Sequence, residues 1–205
     1  MKQASACESH GLARKHGFTL LEILTVVAII MIIVAILFPA ISAVRKAGRI
    51  TKAQSDVAIV VHAFKNYYNE YSRWPTNLMG NDTGINIEGT AGGIEVGENV
   101  VRMFSGENLN RQNPRQIVFM EVPAGAVGAG GSFVDPWGSP YRYMCDFNYN
   151  GTVEITFTGG AATNLTDATI TVAVWSRGQD KSDESGRQRD DVTSWKSPPK
   201  VSDLN

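Results

Sequence analysis

The longest uncharged stretch in this chain runs from Ile23 to Val44 and contains 22 apolar or small residues. About 20 such residues are enough to cross the hydrocarbon core of a bilayer as a helix. Arg14 and Lys15 precede the stretch, and basic residues favour the cytoplasmic flank. A cleaved secretory signal is the competing interpretation, but its apolar region has only about 7–15 residues. The stretch therefore predicts a retained membrane helix.

A carboxylate stands at the edge of this apolar stretch. Glu22 lies just before Ile23, where a charge is costly and usually functional. The string from Lys15 to Glu22 (KHGFTLLE) resembles the class III signal of type IV prepilins and type II secretion pseudopilins. The resemblance implies peptidase cleavage after Gly17, methylation of the new N-terminal Phe18, and pairing of Glu22 with the amino terminus of a neighbouring filament subunit.

The pattern becomes amphipathic after Val44. Apolar residues recur there at helical spacing, which predicts that the helix continues to about Tyr71 and packs on a sheet. The stripe consists of Val57, Val60, Val61, Phe64, Tyr67, Tyr68 and Tyr71.

Short β-branched and aromatic runs in the second half of the chain predict strands. The strongest run, Thr169–Ser176, alternates as a half-buried strand should. A short helix is expected near Glu98–Phe104. The other predicted strands are Gln116–Val122, Tyr141–Asp146 and Thr152–Thr158. The fold class is therefore α+β, a long helix on a small antiparallel sheet, as in the pilin-like fold that the N-terminal resemblance implies.

The segment Asp146–Gly151 joins two of these predicted strands. Its Asn150-Gly151 pair is a strong β-hairpin signal. The segment also has the D-x-N-x-N-G spacing of an EF-hand calcium loop, but Phe157 stands where that loop needs a glutamate. The hairpin turn is the favoured interpretation.

A dense cluster of turn formers and aromatic residues spans Asp135–Tyr141 (DPWGSPY), which predicts a rigid turn with Trp137 against the sheet edge. The string resembles the Asp-Pro-Trp-Gly-x-Pro-Tyr motif of type II secretion major pseudopilins. This second resemblance narrows the first one to the G-type pseudopilins.

The polar segment 176–194 carries several carboxylates. Spacing alone favours a solvated acidic loop. Ser176–Asp180 and Asp191–Trp195, however, resemble the Ser-x-Gly-x-Asp and Asp-Ile-x-x-Trp stretches of the same pseudopilins. That resemblance implies a structural Ca²⁺, for which Asp180 and Asp191 are the best ligand candidates, with Asp183 and Asp190 as weaker ones. Carboxylate oxygens suit this hard cation.

Composition excludes several functions. The formal net charge of −1 gives no reason to expect a nucleic-acid partner. No nucleophile–base set, phosphate loop or Cys/His metal spacing is present, so we do not expect an enzyme. Cleavage after Gly17 would remove Cys7 and leave Cys145 as a small buried hydrophobe without a disulfide partner.

The resemblance implies a structural subunit of the periplasmic pseudopilus of a type II secretion system. The implied partners are further copies of the chain, prepilin peptidase, minor pseudopilins, and an inner-membrane platform with its ATPase. The implied location is the bacterial inner membrane, crossed once, with the head in the periplasm. A type IV pilus pilin and an uncleaved membrane-tethered sensor are the alternatives. The expected segments are a leader 1–17, a membrane or filament-core helix 18–44, and a head 45–205 made of helix 45–72, loop region 73–115 and sheet with C-terminal loop 116–205.

Overall fold

The structure is a computed structural model that describes residues 18–75, 93–156, 162–165, 171–182 and 191–195. Helix α1 runs from Leu20 to Tyr71. The chain divides into two compact units, Met1–Val44 and Arg45–Asn205. The first described unit consists of apolar helix whose side chains are exposed, and the second contains the buried core. This is the α+β, pilin-like arrangement that the sequence predicts.

The head contains a four-stranded antiparallel sheet and a separate antiparallel pair of strands. The sheet has the order β1-β2-β5-β6, and β3 pairs with β4. A second helix, α2, follows β1. The elements are β1 (Ile94–Glu95), α2 (Glu98–Phe104), 3-10 turns at Leu109–Arg111 and Ala124–Ala126, β2 (Arg142–Cys145), β3 (Val153–Thr156), β4 (Ala162–Leu165), β5 (Val172–Ser176) and β6 (Val192–Thr193).

The predicted helical stripe forms the centre of the main core. Phe64 packs edge-on against Phe104 of α2, with ring centroids 4.8 Å apart, and lies 4.5 Å from Tyr143 of β2. Tyr67 is fully buried and donates a hydrogen bond of 2.8 Å from its hydroxyl to the Gln112 carbonyl. The other stripe residues, Val57, Val60, Val61, Tyr68 and Tyr71, are buried in this core or packed against it.

Strand β5 differs from the half-buried strand that its alternation predicts, because all five of its residues are buried. Val172 and Val174 belong to the main core. Ala173 and Trp175 point to a second apolar cluster, which includes Val153 of β3. Val153 and Ile155 of β3 therefore cover the face of the sheet that an alternating pattern assigns to solvent.

Two further predictions are wrong. The segment Gln116–Val122 forms no strand, only an isolated bridge between Ser105 and Val118. It is organised instead by the buried Asn113, whose amide donates to the carbonyls of Met103 (2.9 Å) and Ile117 (2.8 Å). A side chain that satisfies backbone groups in this way replaces the ladder of a sheet.

The Asn150-Gly151 pair does not close a β-hairpin, because β2 pairs with β1 and β5, whereas β3 pairs with β4. The carboxylate of Asp146 accepts hydrogen bonds from the backbone N–H groups of Asn150 (3.0 Å) and Gly151 (2.9 Å). The turn is therefore closed by a side chain that accepts backbone N–H groups four and five residues further along the chain. It redirects the chain from the main sheet to the β3–β4 pair.

Candidate functional site

The start of α1 is closed by a reciprocal pair of side chains. The Glu22 carboxylate accepts hydrogen bonds from the Thr19 backbone N–H (2.8 Å) and the Thr19 hydroxyl (2.9 Å). The Thr19 hydroxyl oxygen in turn accepts the Glu22 backbone N–H at 3.2 Å. This is a capping box, which satisfies backbone donors that a helix N-terminus leaves open. The sequence signal for this capping box is a threonine three residues before a glutamate at the start of an apolar run.

The capping box places the Glu22 carboxylate within one helical turn of Phe18. A negative charge is favoured there by the helix dipole. Phe18 is itself 82% exposed. Gly17, on the other side of the predicted cleavage point, and the leader 1–17 lie outside the described residues. The arrangement offers a fixed carboxylate beside the position where cleavage would create a free amine.

The apolar part of α1 presents its side chains outward. Among the described residues, α1 is by length and composition the one helix that could cross a membrane. The most apolar stretch of α1 is not buried within the chain, whereas the core helix of a soluble domain is mostly buried. An apolar surface of this extent needs a lipid or protein partner.

The Asp135–Tyr141 string forms the rigid turn that the sequence predicts. Asp135 is only 4% exposed, and its Oδ1 atom accepts the backbone N–H groups of Trp137 (3.0 Å) and Ser139 (2.9 Å). Gly138 has a φ of +87°, which favours glycine. The second carboxylate oxygen accepts the Ser176 hydroxyl at 2.5 Å. The turn is therefore bonded directly to the end of β5.

The other end of this turn is bonded to α1. The buried Tyr141 hydroxyl donates to Asp56 Oδ2 at 3.0 Å, and Lys52 Nζ lies 2.9 Å from the same oxygen. Burial, and next the negative charge of Asp56, raise the pKa of Tyr141 above its usual value. The phenol therefore stays a hydrogen-bond donor throughout the neutral range.

Two of the candidate calcium ligands, Asp180 and Asp191, flank segment 183–190. That segment, which contains the weaker candidates Asp183 and Asp190, lies outside the described residues. Asp180 is exposed and accepts the Ser182 backbone N–H at 2.8 Å. Asp191 is 3% exposed and immediately precedes β6, where Val192 pairs with Ser176. Within the described ranges, no three His, Cys, Asp or Glu side chains form a metal-binding group.

Cys145 lies in β2, buried as predicted, and has no disulfide. Burial in an apolar environment raises the pKa of its thiol well above the usual value. The thiol therefore behaves as a packing group rather than a nucleophile.

Comparison with known proteins agrees with these features. The prokaryotic N-terminal methylation motif matches residues 12–38, which include the predicted cleavage point, the capping box and most of the apolar run. Together with the α+β head, this match supports a pilin-like prepilin. The chain is also similar to the type II secretion system core protein G of Pseudomonas aeruginosa. The two are 24% identical over 131 residues, which cover 64% of this chain and 74% of that protein. No solved structure matches the chain significantly. The motif and the relative together support a G-type pseudopilin-like prepilin.

Proposed function

We propose that this protein is a structural subunit of a type II secretion pseudopilus. In this proposal the chain is cut after Gly17, methylated on Phe18, and polymerised through segment 18–44. The observation that carries the proposal is the methylation motif at the start of an exposed apolar helix. The similarity to core protein G favours type II secretion over a type IV pilus.

Glu22 would select the register between subunits. In a filament core, the free amine of Phe18 would be a charge removed from water. A carboxylate on a neighbouring copy compensates it, and leaving one partner of such a buried pair alone costs about 3–5 kcal/mol. The capping box holds the Glu22 carboxylate at the helix start, so its position is fixed before any partner arrives.

The proposed partners are other copies of the chain, prepilin peptidase, minor pseudopilins, and an inner-membrane platform with its ATPase. The apolar helix fits a membrane-anchored subunit. We propose the inner membrane, crossed once, with residues 45–205 in the periplasm as one head domain and the leader 1–17 in the cytoplasm.

A structural Ca²⁺ would be held by Asp180, Asp191 and Asp183. Carboxylate oxygens suit this cation. Asp191 presents a buried carboxylate immediately before β6, and Asp180 stands on the other side of segment 183–190 in the sequence. When bound, the cation would cross-link a polar segment that has almost no apolar residues with which to pack.

Intact-mass spectrometry of the protein from its host membranes tests the main proposal. We expect loss of Met1–Gly17 and one added methyl group on Phe18. An uncut chain would instead indicate a membrane-tethered domain, and a cut beyond Val44 would indicate a soluble secreted protein. Either result contradicts the filament proposal.

Two substitutions of Glu22 separate its roles. Glu22→Gln keeps the capping box, because glutamine serves at this position, but removes the charge. Glu22→Leu removes both. We expect both variants to enter the membrane and be cleaved, and both to give at least tenfold fewer filaments. A normal filament yield from Glu22→Gln would show that the capping box, not the ion pair, is what assembly needs.

Thermal unfolding of the full chain in detergent, with Ca²⁺ or with a chelator, tests the calcium site. Free Ca²⁺ at 100 times the dissociation constant of the site would stabilise the folded state by about 2.7 kcal/mol. We expect Ca²⁺ to raise the Tm of the wild type and of the control Glu121→Gln, but not of Asp191→Asn. An equal response of all three proteins would exclude this ligand set.

A further inference from the structure

A cluster of basic residues follows the apolar run without a gap. Arg45 is the first residue after Val44, and Lys46, Arg49 and Lys52 follow within eight positions. No Asp or Glu occurs between Glu22 and Asp56, so the segment carries a single sign of charge. We infer that this basic segment binds the anionic headgroups of phospholipids at the membrane surface.

Helical geometry places three of these charges together. Arg45, Arg49 and Lys52 have the spacing i, i+4, i+7, so they lie along one side of α1. All three are exposed, whereas Ile50 is the first residue of the helix that enters the buried core. The charged side therefore lies at the start of the head, where the helix enters the buried core.

Distance from the bilayer favours lipid over a protein partner. From Arg45 to Lys52 the helix rises about 10 Å at 1.5 Å per residue. The Debye length is about 8 Å at physiological ionic strength, so these charges lie within the range of the surface potential of an anionic membrane. Basic residues next to a membrane are attracted to anionic lipid at its surface. The proposed function makes this the periplasmic leaflet of the inner membrane. The inference rests on the membrane anchoring contained in the proposed function.

The distribution of charge is not explained by membrane topology. Arg14 and Lys15 precede the apolar run, but four basic residues follow it. A bias of this kind does not favour export of the second flank. The proposed cleavage after Gly17 would also remove Arg14 and Lys15, so that only the second flank keeps basic side chains. Contact with lipid headgroups would give these charges a function, whereas setting the orientation of the helix in the membrane does not require them.

Lipid binding to the full chain in nonionic detergent tests the inference, with native mass spectrometry to count bound phosphatidylglycerol or phosphatidylcholine. The test variant is Arg45→Gln with Arg49→Gln. Lys52 is kept, because it is bonded to Asp56. The matched control, Lys65→Gln with Arg111→Gln, removes the same charge from exposed positions elsewhere in the head.

We expect the wild type to prefer phosphatidylglycerol and to lose that preference as salt is added. The attraction corresponds to about fivefold in affinity for each basic residue, or about 30-fold for the test pair. The control pair should change affinity less than threefold. Lysine at both positions, Arg45→Lys with Arg49→Lys, should retain most of the affinity because the charge is kept.

Three results would overturn the inference: equal binding of the two lipids by the wild type, unchanged affinity in the test pair, or an equal loss in the control pair. If the test pair instead impaired only the association between copies, the face would be a protein interface. Flotation with neutral vesicles separates this from the proposed function. A wild-type chain that fails to float would refute membrane anchoring itself.

Discussion

Removing the Asp135 carboxylate should destabilise the head more than any single surface change. The side chain accepts three hydrogen bonds, two from the backbone of its own turn and one from Ser176. Hydrogen bonds to charged groups contribute about 1.5–3 kcal/mol each. In the variant, water can bond to the N–H group of the half-buried Trp137, which leaves two lost hydrogen bonds. We therefore expect Asp135→Ala to cost about 3–6 kcal/mol.

The contact with Ser176 can be isolated by a double-mutant cycle. Ser176→Ala should cost about 2 kcal/mol, because its hydroxyl also accepts the Gly178 N–H at 3.0 Å. The two changes together should cost about 1.5–2 kcal/mol less than their sum. Denaturant unfolding of the full chain in detergent, followed by tryptophan fluorescence, measures these values. Ser55→Ala, on the exposed helix face, is the control. A coupling below about 0.5 kcal/mol would refute the direct bond.

Three further measurements test the packing. Gly93→Ala should destabilise by about 2–4 kcal/mol, because a Cβ would lie 2.2 Å from Trp175 and φ is +69°, whereas Gly48→Ala, in open space on the helix, should stabilise by about 0.5–1 kcal/mol. Burial raises the pKa of Tyr67 to about 12. The unfolded phenol ionises first, so stability should fall between about pH 10 and 12, less steeply in Tyr67→Phe. In a chain with Cys7→Ser, maleimide should label Cys145 only after denaturation, and rapid labelling of that native chain would contradict the burial of Cys145.

The helix and its core face were readable from sequence because both depend on local periodicity. The stripe from Val57 to Tyr71 needs only the knowledge that apolar residues at helical spacing share a side. The burial of both faces of β5 was not readable in the same way. Trp175 packs with Val153 and Ile155 of β3, and the partner of each strand is chosen by tertiary packing.

The functional residues also differ in whether a local sequence pattern marks them. Glu22 is marked by its unusual place beside an apolar run, and its capping role follows from a threonine three residues earlier. The Asn150-Gly151 pair gave a wrong hairpin, because the buried Asp146 carboxylate closes that turn and frees β2 to pair elsewhere. Side chains that accept backbone N–H groups across four or five residues leave no periodic signal.

The three strings in the head that resemble pseudopilin motifs are parts of one structural unit. The Asp135–Tyr141 turn is bonded to α1 through Asp56 at one end and to Ser176 at the other. Ser176 pairs with the residue after Asp191, so the turn connects the helix to the strand that borders the proposed calcium segment. Cys145 forms no disulfide, so among the described residues these connections are non-covalent. Loss of either bond should therefore loosen the link between helix and C-terminal segment without abolishing the fold, since each contributes a few kcal/mol at most.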